Sequence, residues 1–191
     1  ALEREALTAG QRESLDLIST RGRELVALIE TILDAARVEA GQLSLVKKRT
    51  SVAGLVYLAT QRARELVGGA GELRIEMAEG MPAVTVDANH VSRAIAVVVA
   101  HALRSASGRG VAVRASVAAG GKQVRVEIDH GEAQTDPTEL RALFTQQQTS
   151  RAKGLTLGLS LARSIVEMHG GSIEVTGATG ESTVVSTLLP V

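Results

Sequence analysis

Two glycines precede an apolar helical pattern near the carboxyl end of the chain. Gly154 and Gly158 are followed by Leu161, Ile165 and Met168, a spacing that predicts one buried helical face. Glycine lets the backbone approach a bound group closely, and the free N–H groups of a first helical turn attract anions. From the residues alone, the stretch is either a phosphate cradle or an ordinary turn before a helix.

An acidic residue and a glycine end an alternating apolar segment earlier in the chain. Asp129 follows Val124, Val126 and Ile128 in the pattern of a strand, and Gly131 comes next but one. A carboxylate at the edge of a sheet accepts hydrogen bonds from N–H groups, such as the amino group of adenine. An aspartate beside a glycine is also a common turn residue, so both interpretations stay open here.

The elements that must position these residues alternate between helix and strand. Ser51 is predicted to cap a helix over 52–67, and further helices are predicted from Asp87 to Ser105 and from Asp136 to Phe144. Strands are predicted at 42–50, 73–77, 84–86, 111–117, 124–129, 173–176 and 182–189. The pattern predicts an α+β fold, an α/β sandwich whose mixed sheet carries its helices on one face.

A long helix is predicted before these elements, after a turn at residues 8–10. Apolar or small residues repeat there at alternating steps of three and four, up to a stop signal at Gly41. This seam predicts pairing with a second long helix, the alternative being an amphipathic helix packed on its own domain. Its members are Leu15, Ile18, Gly22, Leu25, Ile29, Ile32 and Ala36.

Composition argues against several classes of function. The chain of 191 residues has 21 basic and 21 acidic residues, so no overall field attracts nucleic acid or anionic membranes. One Tyr, one Phe and no Trp leave no stacking platforms for single-stranded nucleic acid, and the lack of cysteine excludes thiolate chemistry. No apolar run approaches the roughly 18 residues of a membrane span. We therefore expect a soluble, cytoplasmic piece of a longer protein, which as a whole could be anchored in a membrane.

The carboxyl end resembles a known family over residues 154–190. The patterns Gly-x-x-Leu-Gly-Leu-Ser-Leu-Ala-Arg and Glu-Met-His-Gly-Gly, then Leu-Leu-Pro, resemble the end of the ATP-binding domain of sensor histidine kinases. Gyrase, the Hsp90 chaperones and MutL belong to the same wider family. The sequence from Arg37 to Gly41 is similar to the end of the second helix of the kinases' dimerisation hairpin. The resemblance implies a partial hairpin at 1–41, mainly its second helix, and an ATPase-type domain at 42–191.

The same resemblance assigns roles to the acidic segment. Asp129 and Gly131 match the beginning of the family's Asp-x-Gly-x-Gly box, which implies an adenine-facing carboxylate and a close approach at the glycine. The second glycine of the box falls on Ala133. This departure weakens the close approach that the box provides.

Two further boxes also depart from the family pattern. The characteristic asparagines of the helix at 87–105 fall on Val97 and His101, and the middle glycine of the later loop falls on Thr156, between the matching Gly154 and Gly158. An asparagine oxygen suits Mg²⁺, whereas a ring nitrogen of His101 suits Zn²⁺ or Ni²⁺ better, unless it is only hydrogen-bonded locally. Arg104 stands where the family often has a lysine and could reach a phosphate. Before the glycines lie Arg151 and Lys153, which are either further phosphate contacts or a solvated pair of charges.

The resemblance and its departures lead to one hypothesis with two alternatives. The chain is expected to be a pseudokinase that binds ATP with Mg²⁺ weakly or not at all, with no catalytic or metal-ligating residue of its own. It would act as a homodimer through the hairpin helix and contact a partner kinase or response regulator. The first alternative is an active kinase region that phosphorylates a histidine upstream of this segment, and the second is an interaction scaffold.

Overall fold

The computed structural model describes residues 8–69, 71–106, 110–131, 136–145, 154–177 and 182–191. Within these ranges the helices are α1 (Ala9–Glu39), α2 (Val52–Leu66), α3 (Ala88–Ser105), α4 (Pro137–Thr145) and α5 (Gly154–Met168). The strands are β1 (Lys48–Ser51), β2 (Leu73–Met77), β3 (Ala83–Val86), β4 (Val111–Val117), β5 (Gln123–Asp129), β6 (Ser172–Thr176) and β7 (Val184–Pro190).

The main sheet is mixed. Its strand order is β2-β4-β5-β7-β6, in which β2 and β4 are parallel and the other neighbours are antiparallel. A separate two-stranded ladder pairs β1 with β3. The predicted α+β fold with a mixed sheet is confirmed.

The hydrophobic core lies between this sheet and the helices α2, α3 and α5. On β5 the side chains of Val124, Val126 and Ile128 point into this core and are at most 1% exposed. Because side chains alternate along a strand, Arg125, Glu127 and Asp129 point to the opposite face. We call these the inner and the outer face of the sheet.

Side-chain caps fix the starts of the first two helices. The Ser51 hydroxyl accepts a hydrogen bond from the Gly54 N–H at 3.0 Å, as predicted for α2. Thr8 and Gln11 form a reciprocal capping box, so α1 begins at Ala9. The predicted turn at residues 8–10 is therefore wrong beyond Thr8. The predicted strand at 42–50 is also shorter than expected, since β1 covers only Lys48–Ser51.

The start of α5 differs from the expectation as well. The helix already includes Gly154, so the predicted glycine loop at 154–158 is the first turn of α5. On the face predicted to be buried, Met168 is 36% exposed. The predicted left-handed end is present at Gly170, whose φ is +76°. A Cβ on Gly171 would lie 2.1 Å from the Leu188 carbonyl oxygen, so this position admits only glycine.

Helix α1 is held to the rest of the chain through its carboxyl-terminal half. Arg93 on α3 forms ion pairs with Asp34 at 3.0 Å and with Glu30 at 3.3 Å. Ala35, one residue further along α1, is 1% exposed. The heptad seam points elsewhere, because its large side chains are all more than a third exposed: Leu15, Ile18, Leu25, Ile29 and Ile32.

Candidate functional site

Two imidazoles meet between the helix layer and the sheet. His101 lies on α3 and is 7% exposed, whereas His130 follows β5 on its inner face and is 1% exposed. Their ring centroids are 5.8 Å apart, with an angle of 46° between the planes. Within the described residues, Nδ1 of His101 and both ring nitrogens of His130 are buried without a hydrogen-bond partner. The predicted site residue His101 is thus one member of a pair of buried imidazoles whose ring nitrogens lack hydrogen-bond partners among the described residues.

Burial keeps both imidazoles neutral. Loss of solvent lowers the pKa of His101, and the charge of Arg104 lowers it further. Burial, together with His101, lowers the pKa of His130 to about 4, although the Asp129 carboxylate acts in the opposite direction. Near neutral pH each ring therefore carries one N–H donor and one nitrogen lone pair.

Asp129 does not join this pair, because it lies on the outer face of the sheet. Its Oδ2 accepts a hydrogen bond from Nη1 of Arg114 at 2.9 Å. Its Oδ1 accepts hydrogen bonds from the Ser182 hydroxyl and, at 2.9 Å, from the Gly131 N–H. Burial opposes ionisation, but the hydrogen bonds from Ser182, Gly131 and Arg114 lower the pKa of Asp129 overall. In this arrangement Asp129 stabilises the end of β5.

Gly131 forms the turn that follows β5. Its φ of +61° is the left-handed conformation that favours glycine. Around it, the His130 N–H donates to the Thr183 carbonyl oxygen at 2.9 Å, and the Thr183 N–H donates to the Gly131 carbonyl oxygen at 3.2 Å. The turn is tied to the beginning of β7. Arg104 lies on the exposed side of α3, in its last turn.

The two predicted phosphate glycines lie in the first turns of α5. A Cβ on Gly158 would lie 3.0 Å from Cγ1 of Val97, so this glycine permits close approach of α5 and α3. The backbone of Gly154 is helical. Thr156 is also helical. Outside the described residues lie Ala133 and the segment between Thr145 and Gly154, which contains Arg151 and Lys153.

The described residues do not fit the magnesium ligation of the family pattern. At the two asparagine positions Val97 offers no ligand and His101 offers nitrogen, whereas Mg²⁺ requires oxygen. On the inner face of the sheet the residue after β5 is His130. A carboxylate would be needed there to accept a hydrogen bond from an adenine amino group bound between the sheet and the helices. Sequence reasoning missed His130, although the alternation Val124, Val126, Ile128 places residue 130 on the inner face.

A third buried histidine, His169, has a structural role. Nδ1 of His169 lies 2.7 Å from the Ile165 carbonyl oxygen, and its Nε2 accepts the Asp87 N–H at 3.0 Å. The carbonyl partner requires the proton on Nδ1, so the ring is neutral and locked in one tautomer. Asp87 in turn accepts the Val46 N–H at 2.9 Å and caps α3. This network joins the end of α5 to the start of α3.

Comparison with known proteins agrees with this fold. Residues 86–191 match the family described as histidine kinase-, DNA gyrase B- and HSP90-like ATPase. The chain belongs to this family. Within the family it is similar to the ATP-binding catalytic domain of histidine kinases. The resemblance stated from the sequence is confirmed.

Several curated relatives match nearly the whole chain. The non-motile and phage-resistance protein of Caulobacter vibrioides is 30% identical over 184 residues, which cover 91% of this chain and 22% of that protein. The alginate biosynthesis sensor protein KinB of Pseudomonas aeruginosa is 30% identical over 195 residues, which cover 99% of this chain and 32% of KinB. The chain thus spans between about a fifth and a third of the length of these relatives.

Solved structures share the fold. Full-length ShkA in complex with AMPPNP has a TM-score of 0.74 at 22% identity, covering 99% of this chain and 40% of ShkA. Histidine kinase AdeS of Acinetobacter baumannii has a TM-score of 0.70 at 16% identity, covering 97% of this chain and 86% of AdeS. Among the described residues, no helix is long and apolar enough to cross a membrane.

Proposed function

We propose that this chain is a histidine-kinase-like signalling module whose nucleotide site binds Mg·ATP weakly or not at all. It comprises part of a dimerisation hairpin at 1–41 and an ATPase-type domain at 42–191. Signalling then depends on dimerisation and on contacts with a partner kinase or response regulator on the cytoplasmic side. The alternative is an active kinase region that transfers the ATP phosphate to an upstream histidine.

The observation that carries the proposal is that His130, and not Asp129, lies on the inner face of the sheet at the end of β5. The inner face presents the neutral, buried His130, and the Asp129 carboxylate is bound to Arg114 on the outer face. The opposing helix adds His101 in place of an oxygen ligand. Losing two polar contacts of about 1–3 kcal/mol each weakens binding by about thirtyfold at the lower limit and by about ten-thousandfold at the upper limit.

Calorimetric titration with Mg·ATP and Mg·AMPPNP tests the nucleotide site. We expect no saturable heat from the natural chain and measurable affinity from a variant carrying His101→Asn with His130→Asp, which restores an oxygen ligand and an inner-face carboxylate. Asp129→Asn added to the double variant is the matched control, because it removes a carboxylate from the outer face and should leave the restored affinity unchanged. Circular dichroism establishes that each variant is folded.

The outcomes separate the hypotheses. Micromolar binding by the natural chain contradicts the pseudokinase proposal and favours the active kinase. Binding restored only in the double variant supports a disabled pocket. Silence from the natural chain and from a folded double variant contradicts a pocket disabled at these two positions and favours the scaffold.

The dimerisation proposal is supported by the exposed seam of α1. Ile18 is 67% exposed, Leu25 58% and Ile29 49%, and all three lie on one side of the helix away from the Arg93 ion pairs. Large apolar side chains in such a row are stabilised by burial against another helix. A second copy of the chain supplies the same seam and is therefore a self-complementary partner.

Sedimentation equilibrium tests this proposal with charge substitutions. Ile29→Glu places a carboxylate in the seam and should shift the chain towards monomer, whereas Arg12→Glu introduces a carboxylate outside the seam and should not. A monomeric natural chain at high concentration, or equal behaviour of the two variants, contradicts pairing through this seam.

A further inference from the structure

The imidazole pair leaves its hydrogen-bonding capacity unused. Three buried ring nitrogens of His101 and His130 have no partner among the described residues. A buried polar atom without a partner costs about 1–3 kcal/mol, so native structures rarely retain several side by side. The cluster is therefore explained best by a group that the two rings bind together.

The spacing of the rings restricts the identity of this group. With a metal–nitrogen distance of about 2.1 Å, each ring centroid lies about 3.2 Å from a bound ion, so two rings on one ion have centroids about 5 to 6 Å apart. The observed separation of 5.8 Å lies within this interval. A single ion between the rings satisfies one nitrogen of each.

We propose that His101 and His130 together bind one divalent transition metal ion of the Zn²⁺, Ni²⁺ or Cu²⁺ class. Imidazole nitrogen is a preferred ligand of these ions, whereas Mg²⁺ and Ca²⁺ prefer oxygen. Both rings project from regular elements, α3 and the end of β5, so the two ligands are held in position before the ion arrives.

Both rings are buried, so an ion between them is shielded from solvent. No group of three or more His, Cys, Asp or Glu with metal-binding geometry exists among the described residues. The site thus has two protein ligands there. Its existence is independent of whether Mg·ATP binds.

Calorimetric titration of the chelator-treated chain with Ni²⁺ or Zn²⁺ alone tests this site. We expect one ion per chain with a Kd on the order of micromolar. His101→Asn and His130→Gln should each weaken binding at least about tenfold, since each removes one of two ligands. His90→Asn is the matched control because His90 lies on the same helix but contacts Asp87; it should leave the affinity unchanged. Excess Mg²⁺ should not displace the ion.

Electron paramagnetic resonance of the Cu²⁺-loaded natural chain gives a readout that needs no variant. Coupling to two imidazole nitrogens supports the pair, and coupling to one or none overturns it. The proposal is also overturned by absence of binding, by full affinity in folded His101→Asn, or by equal loss in His90→Asn. If His130→Gln does not fold, the copper spectrum and His101→Asn decide the question.

Discussion

Lowering the pH from 7.5 to 5 should destabilise the chain through His130. The unfolded chain takes up a proton at this residue near pH 6.5, whereas the folded chain resists protonation until about pH 4. The unfolded state therefore binds more protons between these values, and stability falls as the pH decreases through this window. The contribution is complete above pH 6.5 and lost below pH 4.

The magnitude follows from the two pKa values. Linkage gives a loss in the free energy of unfolding of about 2 kcal/mol at pH 5 for His130 alone. This free energy is not reduced for solvent screening, because the His130 side chain is 1% exposed. His101 and His169 also have lowered pKa values and act in the same direction. Asp129, whose pKa is lowered from 3.8, loses its contribution only at more acidic pH.

Urea unfolding followed by circular dichroism at pH 7.5, 6 and 5 measures this effect. The variant His130→Gln keeps a polar side chain of similar size but does not titrate, so its pH dependence should be smaller than that of the natural chain by about 2 kcal/mol over the same range. His101 and His169 are present in both proteins and cancel approximately in the comparison. Equal pH dependence in the two proteins, or an NMR titration of His130 near pH 6.5, would refute the reasoning.

Three further substitutions test the packing that positions the site. Gly158→Val should destabilise the chain by about 1–3 kcal/mol in urea unfolding, since a branched side chain overfills its contact with α3; an unchanged midpoint would contradict that contact. Gly171→Ala should cost about 3 kcal/mol or more, because its methyl group would collide with the Leu188 carbonyl oxygen of β7, and normal thermal stability would show the backbone to be more open there. Arg93→Ala should release the amino-terminal helix and leave the Asp34 carboxylate, 10% exposed, with only its longer contact to Arg37 at 3.7 Å. Faster amide exchange along α1 measures this release, and unchanged exchange would mean that other contacts hold the helix.

Local signals in the sequence were sufficient for most of the fold. Alternating apolar residues located β4 and β5, and the Ser51 cap located the start of α2, because each depends on neighbours in the chain. The segment before β1 alternated over 42–50, but only the last residues pair with β3, since pairing depends on a distant strand. Helix α5 begins at Gly154, earlier than predicted, and Gly158 contacts Val97 of α3, a tertiary contact that no local pattern contains.

The residue that faces the site was harder to predict, because a shift of one residue along β5 decides whether Asp129 or His130 lies on the inner face. The glycine motif aligned Asp129 with the family carboxylate, whereas the strand periodicity of Val124, Val126 and Ile128 assigns the inner face to residue 130. The two signals conflict by one position, and in a strand a shift of one residue moves a side chain to the other face. The structure follows the periodicity, because burying three apolar side chains stabilises the fold more than one carboxylate position does.

The two departures on α3 each face a residue of another element. Val97 and His101 occupy the two asparagine positions one turn apart on α3; Val97 faces Gly158 of α5, and His101 faces His130 after β5. Each of these two positions on α3 therefore has a neighbour on another element: Gly158 of α5 for Val97, and His130 after β5 for His101. Restoring an asparagine at residue 101 alone leaves the buried imidazole of His130 opposite it. The oxygen ligand and the inner-face carboxylate therefore have to be restored together.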